Sequence, residues 1–100
     1  MTITTTRKRL VVSEGTKPRL PSHVRLQHDP VRGAWALLSP EKVMWPDEIS
    51  LDILRRCDGT ASAAEIVTAL AGEYDADPAL VRDDVMEFLQ TWADRRLVTA

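Results

Sequence analysis

A chain of 100 residues, 44% hydrophobic and 28% charged, has the size and balance of one compact domain whose apolar core needs no staples. The single cysteine, Cys57, excludes an internal disulfide framework and a cysteine-rich zinc site, so nothing calls for an oxidising compartment and a cytoplasmic setting is expected. The net charge of -2 is unevenly spread: residues 1–33 hold seven Lys/Arg against Glu14 and Asp29, which leaves the remainder acidic and ill suited to displacing counterions from phosphate.

Residues 1–20 mix threonines, the basic run Arg7-Lys8-Arg9, Gly15 and Pro18 around one short apolar stretch, Leu10 to Val12. That stretch cannot bury itself alone, so a flexible tail is expected over 1–20, ahead of a domain at 21–100. No apolar segment of signal-peptide length follows the basic run, and none nears the ~18 residues of a membrane span.

From Val24 the pattern alternates: Val24, Leu26 and His28 interleave with Arg25 and Gln27. Asp29-Pro30-Val31-Arg32-Gly33 then supplies turn residues before the apolar run Trp35 to Leu38, which predicts a hairpin. A second turn at Ser39-Pro40-Glu41 leads into a short third strand, Lys42 to Trp45, stopped by Pro46. Beyond Pro46 the period lengthens to that of a helix. Ile49, Ile53, Leu54 and Cys57 mark a first helix over about 47–57, closed by Asp58-Gly59. Ser62-Ala-Ala-Glu65 is a capping-box pattern opening a second helix over 63–74. Asp77-Pro78 opens the longest helix, over 78–96, whose stripe is Val81, Val85, Phe88, Leu89 and Trp92. The expected fold class is α+β: a winged-helix-like arrangement with a three-stranded antiparallel sheet followed by a three-helix bundle.

Catalytic chemistry has few candidates. Cys57 falls on the apolar face of its helix, as a small buried hydrophobe would. His23 and His28 lack the further ligands zinc needs, and Asp83, Asp84 and Glu87 lie beside the apolar stripe near Arg82, as on a solvated helix face. No metal, no cofactor and no enzymatic role is expected. Trp35 and Trp92 fit inward positions, whereas Trp45 suits core packing and partner contact equally well.

A three-stranded sheet leaves an edge of unpaired backbone groups, which an extended peptide or a second copy of the chain can use. A winged-helix DNA reader is a third possibility. It is opposed by charge, because the second helix and its following loop carry Glu65, Glu73, Asp75 and Asp77 without a single Lys or Arg.

The segments Leu38-Ser-Pro-Glu-Lys-Val-Met-Trp45, Ile53-Leu-Arg-Arg-Cys-Asp-Gly-Thr60 and Ala64-Glu-Ile-Val67 resemble the PqqD family pattern: a Pro-Glu-Lys strand entry, a Cys-Asp-Gly helix end and a Glu-Ile-Val helix start. The resemblance spans about residues 19–98 and departs at Trp45-Pro46-Asp47, where a more ordinary aliphatic and polar pair is expected. It implies a peptide chaperone of pyrroloquinoline quinone biosynthesis, a RiPP recognition element. Such a chain binds the PqqA precursor peptide and presents it to the radical SAM enzyme PqqE, which owns the iron–sulfur clusters and S-adenosylmethionine. The resemblance further implies that the peptide adds as an antiparallel strand to the third strand and lies against the third helix. Peptide contacts are then expected from Val43, Met44 and Trp45, and from Val81, Val85, Met86 and Leu89.

Overall fold

A computed structural model describes residues 9–100. Its elements follow the expected order: β1 (Arg25–Asp29), β2 (Ala34–Leu38), β3 (Val43–Met44), α1 (Glu48–Arg55), α2 (Ala63–Tyr74) and α3 (Pro78–Asp94). The sheet is antiparallel with order β1-β2-β3, so β3 is an edge. The β1–β2 turn is built by Asp29, whose carboxylate accepts from the Val31 and Arg32 amides at 2.9 and 3.3 Å. Gly33 completes the turn at φ +64°, a left-handed backbone that a side chain disfavours.

Alternation sorts the sheet into two faces. Leu26, Leu37 and Met44 share the inner face, which meets the helices across a core containing Leu54, Ile66, Val85 and Leu89. Ala36, Leu38 and Val43 share the outer face. Each helix is fixed at its start by a side chain that satisfies a free amide. Asp47 accepts from the Ser50 amide at 2.8 Å, Ser62 and Glu65 form the reciprocal capping box, and Asp77 accepts from the Ala79 amide at 2.9 Å ahead of Pro78. β3 is shorter than the expected Lys42 to Trp45, ending at Met44, and the Trp45-Pro46-Asp47 departure has a local use, since it links β3 to α1 and Asp47 caps that helix.

The C-terminus of α3 closes in a Schellman motif. The Leu97 amide donates to the Trp92 carbonyl and the Arg96 amide to the Ala93 carbonyl, each at 2.9 Å. Glycine ordinarily occupies the left-handed position of that motif; here it is Arg96, at φ +64°.

The expected tail over 1–20 falls partly outside the described residues, which begin at Arg9. From there to residue 20 the chain is bonded to the body, so the packing does not respect a boundary at residue 20. Arg19 exchanges backbone hydrogen bonds with Thr99 at 2.8 Å in both directions, the Gly59 amide donates to Pro18, and Ala63 and Ala64 at the start of α2 donate to Thr16 and Glu14. Pro18 is among the most deeply buried side chains. These partners lie 40 or more residues away in sequence, and local composition carries no trace of them.

Candidate functional site

The candidate site takes in the free edge of β3 and the surface of α3. Backbone pairing decides what the edge offers. In an antiparallel ladder, hydrogen-bonded and non-hydrogen-bonded residue pairs alternate. Ser39 donates to the Lys42 carbonyl at 3.1 Å, so residues 39 and 42 are a bonded pair. It follows that Leu38 and Val43 are the non-bonded pair, and Leu37 and Met44 are bonded again. The N–H and C=O of Val43 therefore point away from β2 and into the space a fourth strand would fill. The Val43 side chain is 54% exposed, so nothing covers that position.

The side chains of Val43 and Trp45 lie on the outer face, where they border a depression of about 260 Å³ together with Ala36 and Leu38. Trp45 is 44% exposed and carries the Arg32 guanidinium 4.7 Å from its ring centroid, a cation–π contact that holds the ring against the hairpin. Met44 points inward and packs against the core.

Helical periodicity divides α3 into a buried centre and two flanks. Val85 and Leu89, at 2% and 0% exposure, form the centre, so these two expected contact residues lie in the core. One flank carries Arg82, Met86 and Gln90 at four-residue spacing. Segment 9–14 lies along it: Arg9 pairs with Asp94 at 2.9 Å, the Gln90 side chain bonds both the Val12 amide and the Leu10 carbonyl, and Glu14 pairs with Arg82 at 3.1 Å. Met86 belongs to the flank this segment occupies. The opposite flank runs through Val81, Asp84, Phe88 and Arg95. Phe88 stacks on Trp92 with ring centroids 4.8 Å apart, and Val81 packs against the core margin.

That second flank ends at the β2–β3 turn. A cavity of about 720 Å³ is bounded by Ser39, Pro40, Glu41 and Lys42 on one side and by Arg95, Arg96 and Leu97 on the other, with His23 at its edge. Arg95, at the end of the Phe88 flank, borders the β2–β3 turn across that cavity, whereas no residue of the Met86 flank lines it. Phe88 and the Lys42–Arg95–Arg96 cluster are absent from the sequence-based site. Phe88 could have been found as the residue seven positions after Val81, and Arg95 as the next seven on.

Cys57 is the obvious candidate for reactivity, and its surroundings argue otherwise. It is 5% exposed, its thiol donates to the Ile53 carbonyl at 3.3 Å, and burial, helped by the charge of Asp58, pushes its pKa up to about 12. A thiol so protonated is a poor nucleophile at neutral pH.

The family model described as coenzyme PQQ synthesis protein D matches residues 34–98. The chain belongs to the PqqD family. A PqqA binding protein of Rhodopseudomonas palustris is 47% identical over 92 residues, covering 92% of this chain and 90% of the relative. Another PqqA binding protein, from Xanthomonas oryzae pv. oryzae, is 45% identical over 87 residues, covering 87% of this chain and 95% of the relative. Two PqqD structures share the fold. The solution structure of the PqqD part of Methylobacterium extorquens PqqCD, described as a functional stand-alone RiPP recognition element, superposes with a TM-score of 0.74 at 35% identity, over 89% of this chain and 95% of that one. Crystalline PqqD from Xanthomonas campestris gives 0.56 at 43% identity, over 89% and 99%. No helix among the described residues is long and apolar enough to cross a membrane.

Proposed function

We propose that this chain is a peptide chaperone that binds the PqqA precursor peptide as a fourth antiparallel strand on β3 and presents it to the radical SAM enzyme PqqE in pyrroloquinoline quinone biosynthesis. The observation that carries the reading is the outward-pointing backbone of Val43 on the free edge of the sheet, in a chain whose relatives are named for binding PqqA. Val43 would supply the backbone bonds, Met44 and Trp45 the floor and outer margin of the strand, and Val81 with Phe88 the facing wall. Val85 and Leu89 hold that wall in place from the core, and Met86 acts from the far flank through segment 9–14.

The chain itself makes and breaks no bond in this role. Its contribution is proximity: a flexible peptide held beside its enzyme has an effective concentration on the order of millimolar for a short link. The iron–sulfur and S-adenosylmethionine chemistry belongs to the enzyme, and a cytoplasmic setting goes with it.

A backbone amide NMR titration with PqqA peptide, against a scrambled peptide of equal charge, tests the reading. Shifts confined to residues 42–45 and the 81–91 stretch of α3, with the true peptide only, are the expected result. If the peptide leaves those amides unmoved, strand addition at β3 is wrong. If the same amides move on raising protein concentration without peptide, the edge serves self-association instead.

A further inference from the structure

The cavity between the β2–β3 turn and the end of α3 has a charge that strand pairing alone does not require. Lys42, Arg95 and Arg96 line it, with Glu41 as the one carboxylate among its lining residues. Three permanent cations against one anion leave a net positive site. Among the described residues, none of the three cations lies in a salt bridge; the ion pairs formed are Arg9–Asp94, Arg32–Asp29, Arg56–Glu73 and Arg82–Glu14. Cations at a helix C-terminus are favoured by the helix dipole, which accounts for Arg95 and Arg96. It does not account for Lys42, which arrives from the sheet on the other side of the cavity.

Arg96 adds a second argument. It holds the left-handed position at the end of α3, where glycine is free of strain and any L side chain costs about 1 kcal/mol. The position therefore keeps a side chain at the expense of stability, as residues that serve a ligand often do.

We propose that this cavity is a carboxylate subsite: Lys42, Arg95 and Arg96 together receive an aspartate or glutamate side chain of the peptide bound on β3. The inference rests on strand addition as proposed above. Lys42 immediately precedes Val43, so the cavity lies at the N-terminal end of β3. A strand antiparallel to β3 passes that point with its C-terminal end. The recognised acid thus lies about one to three residues beyond the paired segment, on its C-terminal side, at the ~3.4 Å rise of an extended chain. Backbone pairing fixes only that a strand binds; an acid seated in this cavity fixes which register it takes.

Arg96→Gly is the informative variant, because it removes a cation while relieving the left-handed strain, so a loss of binding cannot be blamed on unfolding. Isothermal titration would compare wild-type, Arg96→Gly and Lys42→Met with PqqA peptide and with peptides in which each Asp or Glu is changed singly to its amide. The expected result is an unchanged or raised melting temperature for Arg96→Gly, with affinity about tenfold weaker for the native peptide (~1.4 kcal/mol). One acid-to-amide peptide should abolish that difference. Binding of native peptide by Arg96→Gly within twofold of wild-type, or a defect that no amide substitution removes, overturns the subsite while leaving strand addition standing. Failure of the wild-type chain to bind native peptide overturns both.

Discussion

Replacing Val43 with proline tests the edge directly. The alternation argument assigns the Val43 N–H to the outside of the sheet, so proline there deletes no ladder bond to β2, and edge strands accept proline. Two effects fall on the peptide. One backbone hydrogen bond is lost, worth ~0.5–1.5 kcal/mol net. The pyrrolidine Cδ also stands where the amide hydrogen pointed and holds the incoming carbonyl away, much as proline clashes with a carbonyl inside a helix. Together these come to roughly 2–3 kcal/mol, or about 30- to 150-fold in dissociation constant. Val43→Ala separates side chain from amide: at 54% exposure the side chain makes little packing, so affinity and stability should stay within ~0.5 kcal/mol. Isothermal titration gives the affinities, and thermal unfolding shows whether Val43→Pro remains folded. A folded Val43→Pro that binds PqqA peptide within threefold of wild-type refutes the assignment of β3 as the pairing edge.

Leu89→Ala examines whether Leu89 belongs to the core or to the peptide contact: with 0% exposure the truncation should destabilise the fold by ~2–5 kcal/mol in urea unfolding, and a loss below ~1 kcal/mol contradicts the core placement. The Cys57 thiol should resist iodoacetamide in the native chain at pH 8 and react in urea; equal rates in both would contradict its burial. The same shift sets a pH dependence. An unfolded thiol releases its proton near 9.0 whereas the folded one holds it to about 12, so wild-type should lose stability between those values relative to Cys57→Ala, with no difference in slope below pH 9.

What the sequence revealed and what it hid divide along the range of the interactions involved. Two helix starts were legible because a cap is a local arrangement: Ser62 with Glu65, and Asp77, bond amides two or three residues away, whereas the Asp47 cap lay hidden in the Trp45-Pro46-Asp47 departure. The hairpin was legible for the same reason, through Asp29 and Gly33. The stripe of α3 was legible as a face but not in depth. Periodicity groups Val85 and Leu89 with Val81, yet only packing shows that the first two are sealed and the third lies at the margin. Nor does periodicity say which flank meets the sheet. Met86, expected as a peptide contact, shares its flank with Gln90, which bonds a segment nearly 80 residues earlier in the chain. The cavity brings Lys42 together with Arg95 and Arg96, which no local pattern could connect.

The dimensions of β3 explain why the surrounding side chains matter. The strand pairs with β2 through two residues only, between Lys42 with its charged side chain and Pro46 with no amide to donate. Such an edge offers few hydrogen bonds, and its flanking residues are of the kinds that discourage edge-to-edge pairing. A second copy of the same short edge would gain little from it. In the proposed mode a peptide gains more, because it would follow the strand and also reach side-chain sites beyond it, the basic cavity among them. Main-chain hydrogen bonds do not discriminate between sequences, so selectivity in strand addition has to come from side-chain sites along the groove. With a two-residue edge those sites must also supply much of the affinity, and in the proposed mode they fall on α3 and at the β2–β3 turn. Substitutions that loosen α3 without touching the peptide should therefore weaken recognition as effectively as removal of a contact residue, provided they leave the sheet intact.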